Sequence, residues 1–360
     1  MIFVGDIASP DKRTTLKLLQ FFEKHTELYG KQTLVGNLEG LLSDRNPKAD
    51  REPLLSNDPA LPSALKGLTA PVFCLANNHV LDLPGDFRSS VKLLKEEGIP
   101  FCGAGLSAEE AGRPVFFKEG GGEIFLFNAC WDFLLYNQKN PSLGVYVEEI
   151  NERKLLEDVS SHKDQHPEAS LVVYLHWSLD LESLPFPMYR QFSRALIDAG
   201  ASLVVGTHSH CVQGGEKYGD GYILYGLGNF LLPDNEFAGG RLKFPAFAKL
   251  ELALEWNIEK NRLSCHWYEY QTAGDNHHLE YLGTDDFESS ERLRALSPYR
   301  GMDDHEYIRF FKKNRRKKIL IPVYRDYRRK HLNKFYTSLL KMRARTAHFL
   351  ASMNFIKWQN

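Results

Sequence analysis

Seven short apolar runs, each closed by glycine or polar residues, govern the first part of the chain. They are IFV (2–4), TLVG (33–36), PVFCLA (71–76), EIFLFNA (123–129), SLVVYL (170–175), SLVVG (202–206) and YILYGLG (222–228). Runs this short and this rich in Val, Ile, Leu and Phe read as strands buried on both faces. Helical patterns separate them at 10–28, 86–97, 151–163 and 187–199; the last opens on Pro187 and stops at Gly200. Strands alternating with helices predict an α/β architecture. Further on, FAKLELALEW and RLSCHWYEYQT flank NIEKN and predict a hairpin that extends or closes the sheet system.

After about Tyr270 the chain turns polar and acidic, then basic, with a long helix expected over 323–356. This change of texture divides the chain into a first domain, 1–275, and an acidic connector with a basic helical extension, 276–360. Between Arg309 and Arg345 stand 15 Lys and Arg against the single acid Asp326, which leaves 30 basic and 45 acidic residues for the remainder. An acidic body therefore carries a basic arm. No apolar run approaches the roughly 18 residues a spanning helix needs, and MIFVGD lacks the features of a signal peptide. Five cysteines without a CxxC pair argue against a disulfide framework or a thiolate zinc site. Together these predict a cytoplasmic protein.

The strand ends carry the chemistry. Asp6 follows the first run, Asn37 and Glu39 the second, Asn77, Asn78, His79 and Asp82 the third, His176 the fifth, His208 and His210 the sixth, and Asn229 the seventh. Ligands of α/β sheets bind at the carboxyl ends of strands, so these groups should converge. If the strand continues through His208 and His210, its alternation turns both imidazoles to one face. Singly, each residue reads equally as a turn residue, a helix cap or a packed histidine; jointly, so much polarity at one end needs a common partner. Imidazole, carboxylate and amide oxygen suit Mn, Zn or Fe, and such a cation lowers the pKa of bound water and acts as a Lewis acid. The glycines of KEGGGEIF precede a strand where a phosphate loop needs a helix, LYGLGNF lacks a following helix, and LHWSLD has no serine elbow.

Read in order, VGDIA, VGNLEG, LANNHVLD, GAG with EAGRPV, YLHW, RQFSRALIDAGASLVVGTHSHCVQG and ILYGLGNF resemble the CapA-type poly-γ-glutamate capsule-biosynthesis proteins, a branch of the calcineurin-like metallophosphoesterases. The resemblance implies a four-layer α/β/β/α sandwich. It implies Asp6 as first metal ligand, Asn37 or Glu39 as second, Asn78 through its amide oxygen, and His176, His208 and His210 to complete the shell. His79 would be the phosphate-facing acid, with Asp82 either orienting it or serving as a turn or cap. Two departures stand out: Asp6-Ile7-Ala8 replaces the usual Asp-x-His, and Gly36-Asn37 replaces Gly-Asp. Fewer anionic ligands favour one tightly held ion, or a second recruited with substrate.

The expected function is that of a metal-dependent hydrolase, phosphoesterase-like, in bacterial capsule or surface-polymer biosynthesis. The alternatives are a non-hydrolytic assembly factor for an anionic polymer and an amide or isopeptide hydrolase of that polymer. The expected partner is an anionic or phosphorylated substrate. The basic arm, RFFKKNRRKK and YRDYRRKHLNKFY, reads either as a solvated helix or as a binder of nucleic acid, which is not the expected partner. Leu332, Phe335, Leu339, Met342, Phe349 and Met353 recur at near-helical spacing beside Lys341, Arg343 and Arg345. That stripe either packs on the core or lays the helix on the inner face of an anionic membrane.

Overall fold

The computed structural model describes residues 1–45, 54–135, 144–234, 243–273, 276–318 and 320–352. In chain order its main strands are β1 (Ile2–Ile7), β2 (Thr33–Leu38), β3 (Ala70–Cys74), β4 (Phe101–Cys102), β5 (Val115–Glu119), β6 (Gly122–Cys130), β7 (Ser170–His176), β8 (Leu203–Thr207), β9 (Val212–Tyr218), β10 (Gly221–Leu227), β11 (Leu250–Asn257), β12 (Arg262–Ala273) and β13 (Asn276–Asp286). The main helices are α1 (Lys12–Lys24), α2 (Phe87–Glu96), α3 (Glu152–Gln165), α4 (Pro187–Asp198), α5 (Asp304–Asn314) and α6 (Lys330–Ser352). One sheet has the order β13-β12-β11-β1-β2-β3-β4, the other β9-β10-β8-β7-β6-β5.

Strand alternation sorts the apolar side chains into three layers. Phe3, Val35, Val72, Leu126, Val172, Tyr174, Val205 and Leu254 meet between the two sheets. Ile2 and Val4 point the other way, into a core shared with Leu18 and Phe22 of α1 and Val91 of α2. Leu171, Val173 and Leu175 likewise pack against Val159 of α3, Phe192 of α4 and Phe311 of α5. A strand buried on both faces therefore serves two cores, as its unbroken apolar run requires. The result is the expected α/β/β/α sandwich.

The sheets touch at their carboxyl ends. A Cβ on Gly5 would lie 1.9 Å from the Gly228 carbonyl oxygen, so only glycine admits this approach. Phe230 N donates to Asp6 O at 2.7 Å, and Tyr174 Oη to Val4 O at 2.6 Å. Between Phe3 and Asp6 the β1–β2 register slips, a bulge where a side chain is re-aimed. At the far end, Gly120 and Gly121, both at positive φ, turn β5 into β6, the strand turn expected of KEGGGEIF.

Three expectations need revision. The stretch after Tyr270 is a strand: HHLEYLGTDD lies within β13, which pairs antiparallel with β12 at the sheet edge. His278 and Glu280 face water while His277 and Leu279 are buried, the alternation of an edge strand. The division at 275/276 accordingly falls inside the β12–β13 hairpin, and Tyr299, Tyr307, Phe311, Tyr324 and Leu340 pack into the core of the second sheet. The long helix begins at Lys330, since Tyr324 is buried in that core and Met188 N donates to its carbonyl. Met353 lies outside the described residues.

Candidate metal centre

Every strand-end residue singled out in the sequence sits where the two sheets meet. Asp6 and Asn37 are register partners on adjacent parallel strands, and Asp6 is bridged to Asn229 across the sheets. His176 ends β7 opposite Thr207, the last residue of β8. The β8 strand stops there, so alternation does not bring His208 and His210 together. Both residues have left-handed backbone, φ 83° and 53°. Non-glycine residues adopt that conformation at a cost, and strained residues of this kind cluster at active sites and ligand clamps. The two histidines converge through a strained turn.

Ligand atoms of Glu39, His208 and His210 lie within 4.8 Å of one another. Both Glu39 carboxylate oxygens and Nδ1 of His208 are buried without a hydrogen-bond partner. Asp6 is fully buried beside them; its Oδ1 accepts from Asn37 Nδ2 at 2.8 Å and its Oδ2 from His208 N at 3.3 Å. His210 Nδ1 is 3.4 Å from Asp6 Oδ2 and His176 Nδ1 3.9 Å from Asp6 Oδ1. His176 Nε2 and Asn78 Oδ1 are 2.7 Å apart. Neighbouring ligands on a cation with bonds of 2.0–2.2 Å are about 3 Å apart, so these donors can share one coordination sphere.

Burial sets the charge states. It pushes Glu39 well above the ordinary carboxylate range, with Asp6 adding repulsion, and raises Asp6 against the opposing pull of His210 and the Asn37 bond. It also pushes His208 down to about 4 and His176 well below the usual imidazole value. Neutral imidazole is the ligating form. A pair of unpartnered buried carboxylate oxygens beside neutral imidazoles is the environment a divalent cation fits.

Around the donors stand residues that hold them. Asn229 Oδ1 is 2.8 Å from His210 Nδ1, and Thr207 Oγ1 3.1 Å from His176 Nδ1. Asn77 Nδ2 donates to Asn37 Oδ1 at 3.1 Å, so both ends of the Asn37 amide are engaged and Glu39 is the open member of the GNLEG segment. His79 Nδ1 lies 2.7 Å from Asp82 Oδ2, which also accepts from Leu55 N. The half-buried His79 turns Nε2 to within 3.9 Å of Glu39. Thr207 and Asp180 were missed in the sequence; Asp180 Oδ1 is 3.1 Å from His208 Nε2. The available signal was an acid four positions past His176, at the same strand end.

An α/β/β/α sandwich with imidazole and carboxylate donors gathered at its strand ends is the build that the metallophosphoesterase resemblance implied. The chain belongs to the family described as bacterial capsule synthesis protein PGA_cap, whose sequence model matches residues 1–234. The capsule biosynthesis protein CapA of Bacillus anthracis is 30% identical over 221 residues, 58% of this chain and 53% of that one. The PGA biosynthesis protein CapA of Bacillus subtilis is 25% identical over 255 residues, 64% and 62% of the two chains. The chain thus spans 53% and 62% of the length of these two curated relatives. Among solved structures, the NAD nucleotidase of Haemophilus influenzae aligns over 83% of this chain and 61% of its own at 9% identity and a TM-score of 0.40, a distant likeness.

Proposed function

We propose that the chain is a divalent-metal-dependent phosphoester hydrolase serving the synthesis of a bacterial capsule or a related anionic surface polymer such as poly-γ-glutamate. The observation that carries this reading is the buried, unpartnered Glu39 carboxylate beside His208 and His210. Asp6, Glu39, Asn78, His176, His208 and His210 would hold the ion, with Asn37 fixing Asp6. A bound Mn, Zn or Fe supplies Lewis-acid chemistry at a phosphoryl oxygen and an activated water. His79, oriented through Nδ1 by Asp82, is set to deliver a proton from Nε2 to the leaving oxygen. Thr207 and Asn229 keep the imidazoles aimed, as outer partners of metal ligands do.

The amide at Asn37, engaged with Asp6 and Asn77, supports a single tightly held ion and also a second reading, a non-hydrolytic assembly factor. Turnover of bis(p-nitrophenyl) phosphate and of γ-glutamyl p-nitroanilide with Mn separates the readings. The hydrolase reading expects phosphodiester turnover that falls roughly 10²–10⁴-fold in His79→Ala at unchanged metal content. Turnover of the anilide alone makes the chain an amide hydrolase, and metal without any turnover favours the assembly factor.

No helix among the described residues is long and apolar enough to cross a membrane. Thr337 and Leu340 of α6 are buried, Leu332 and Leu339 half-buried, while Phe335 and Met342 are exposed beside Lys334, Arg343 and Arg345. The exposed apolar and basic residues of α6 support a reading in which this helix rests on an anionic membrane surface. Flotation with phosphatidylserine vesicles should carry the protein at low salt and release it at high salt; no flotation at either contradicts the contact.

A further inference from the structure

Part of the basic arm has a defined place that the sequence did not disclose. After α5 the chain leaves the helix at Arg315, and the next two residues are tied down by one carboxylate. Buried Glu182 accepts from Arg316 N at 3.2 Å through Oε1 and from Lys317 N at 3.0 Å through Oε2. The same residue's carbonyl accepts from Gln213 Nε2 at 2.6 Å and from Cys211 Sγ at 3.2 Å. Two positions earlier, Asp180 meets His208, and Leu181 N donates to Ser209 O at 2.9 Å. The loop carrying Asp180 and Glu182 therefore joins the donor cluster to the basic segment.

A second path leads to the same place. The Arg316 guanidinium lies 3.5 Å over the Phe247 ring, which packs in a small cluster with Cys211 and Phe244. The Phe244 ring in turn lies 5.3 Å from that of His210. Arg316 and Lys317 are exposed and enter no ion pair among the described residues. Lys317 is among the charges acting on Asp180, and Arg316 among those acting on Cys211.

We infer that Arg316 and Lys317 form a cationic rim of the donor cluster that recognises an elongated polyanion, one whose negative charge continues beyond the group held at the cluster. The inference rests on the proposed function only for the identity of that held group. The chain outside Arg309–Arg345 carries 45 acidic and 30 basic residues, so most of the surface repels a polyanion and this rim locally reverses the sign. Glu182 fixes the segment through backbone bonds, which leaves the Lys317 ammonium and the edge of the Arg316 guanidinium, its face stacked on Phe247, for charge-assisted hydrogen bonds. Both residues lie outside 1–234, so the matched stretch supplies the donors and the rest of the chain supplies the rim.

The test is fluorescence anisotropy with a labelled γ-linked pentaglutamate and a labelled five-nucleotide thymidylate, with and without Mn, and inorganic phosphate titrated by calorimetry. Arg316→Ala/Lys317→Ala keeps every backbone bond to Glu182. Lys118→Ala/Lys260→Ala removes two exposed charges at the opposite end of the sheets. The rim variant should weaken at least one polyanion about tenfold, with phosphate affinity and Mn content within about twofold of wild type and the control variant unchanged. The probe that weakens identifies a carboxylate or a phosphodiester chain as the ligand. Both polyanions unchanged, or an equal loss in the control, overturns the rim. Wild type lacking metal or turnover, with the polyanion loss intact, would instead remove the hydrolase reading and leave the rim standing.

Discussion

Glu216 and Glu39 are both buried glutamates, yet their surroundings are opposite. Glu216, on β9, accepts from Arg190 Nε at 3.0 Å, Arg194 Nη2 at 2.9 Å and Tyr225 Oη at 2.7 Å. Arg190 also donates to Tyr299 O and Met302 O, and its guanidinium lies 5.2 Å from the Tyr307 ring centre. Burial pushes the Glu216 carboxyl up, and the two arginines outweigh it and hold it below its ordinary range. Glu39 has no such partners, and burial with Asp6 nearby drives it the other way. A buried charge that the chain pairs by itself is part of the scaffold; one it leaves without a hydrogen bond at converging strand ends, with only His79 at 3.9 Å, awaits a charge from outside.

The same substitution at the two positions should therefore give opposite results. Glu216→Gln strands the Arg190 charge and should cost about 3–5 kcal/mol in urea unfolding. The sign with pH follows from a depressed carboxyl: its stabilisation is complete above the ordinary glutamate range and disappears as pH falls through the lowered folded value. Wild type should lose that increment on acidification while Glu216→Gln shows no matching loss. Glu39→Gln in metal-free protein removes the proton uptake that the raised carboxyl requires on folding and should stabilise the protein at neutral pH in urea unfolding. A loss as large as that of Glu216→Gln would erase the distinction. The smallest effect is expected at Asn229→Ala, which frees His210 and should weaken metal binding by about tenfold with little change in unfolding. An unchanged affinity there would mean that His210 is held by its strained backbone alone.

Much of this was legible before the structure, and unevenly. Buried strands announce themselves because both faces must be apolar, so β1, β2, β3, β6, β7, β8 and β10 could be read from short runs, and the polar residues closing them fell at one end as the topology requires. Edge strands do not announce themselves: β9 breaks its apolar run with Gln213, Gly214 and Gly215, and β13 alternates buried with exposed polar residues, so both look like loops. The His208–His210 pair was rightly grouped for a reason the backbone does not support, since the strand ends at Thr207. The Glu182 tether to Arg316 and Lys317 spans more than 130 positions through backbone N–H groups, which leave no trace in side-chain patterns. Asp180, one of many acids in a loop, gains meaning only from its distance to His208.

The central claim is that the cluster around Glu39 is completed by a divalent cation. Elemental analysis of wild type, Glu39→Gln and His208→Ala, each incubated with Mn, Zn and Fe and then desalted, tests it most directly. The account predicts at least about one retained ion per wild-type chain and marked loss in both variants; a wild-type protein that retains none of the three metals would contradict it.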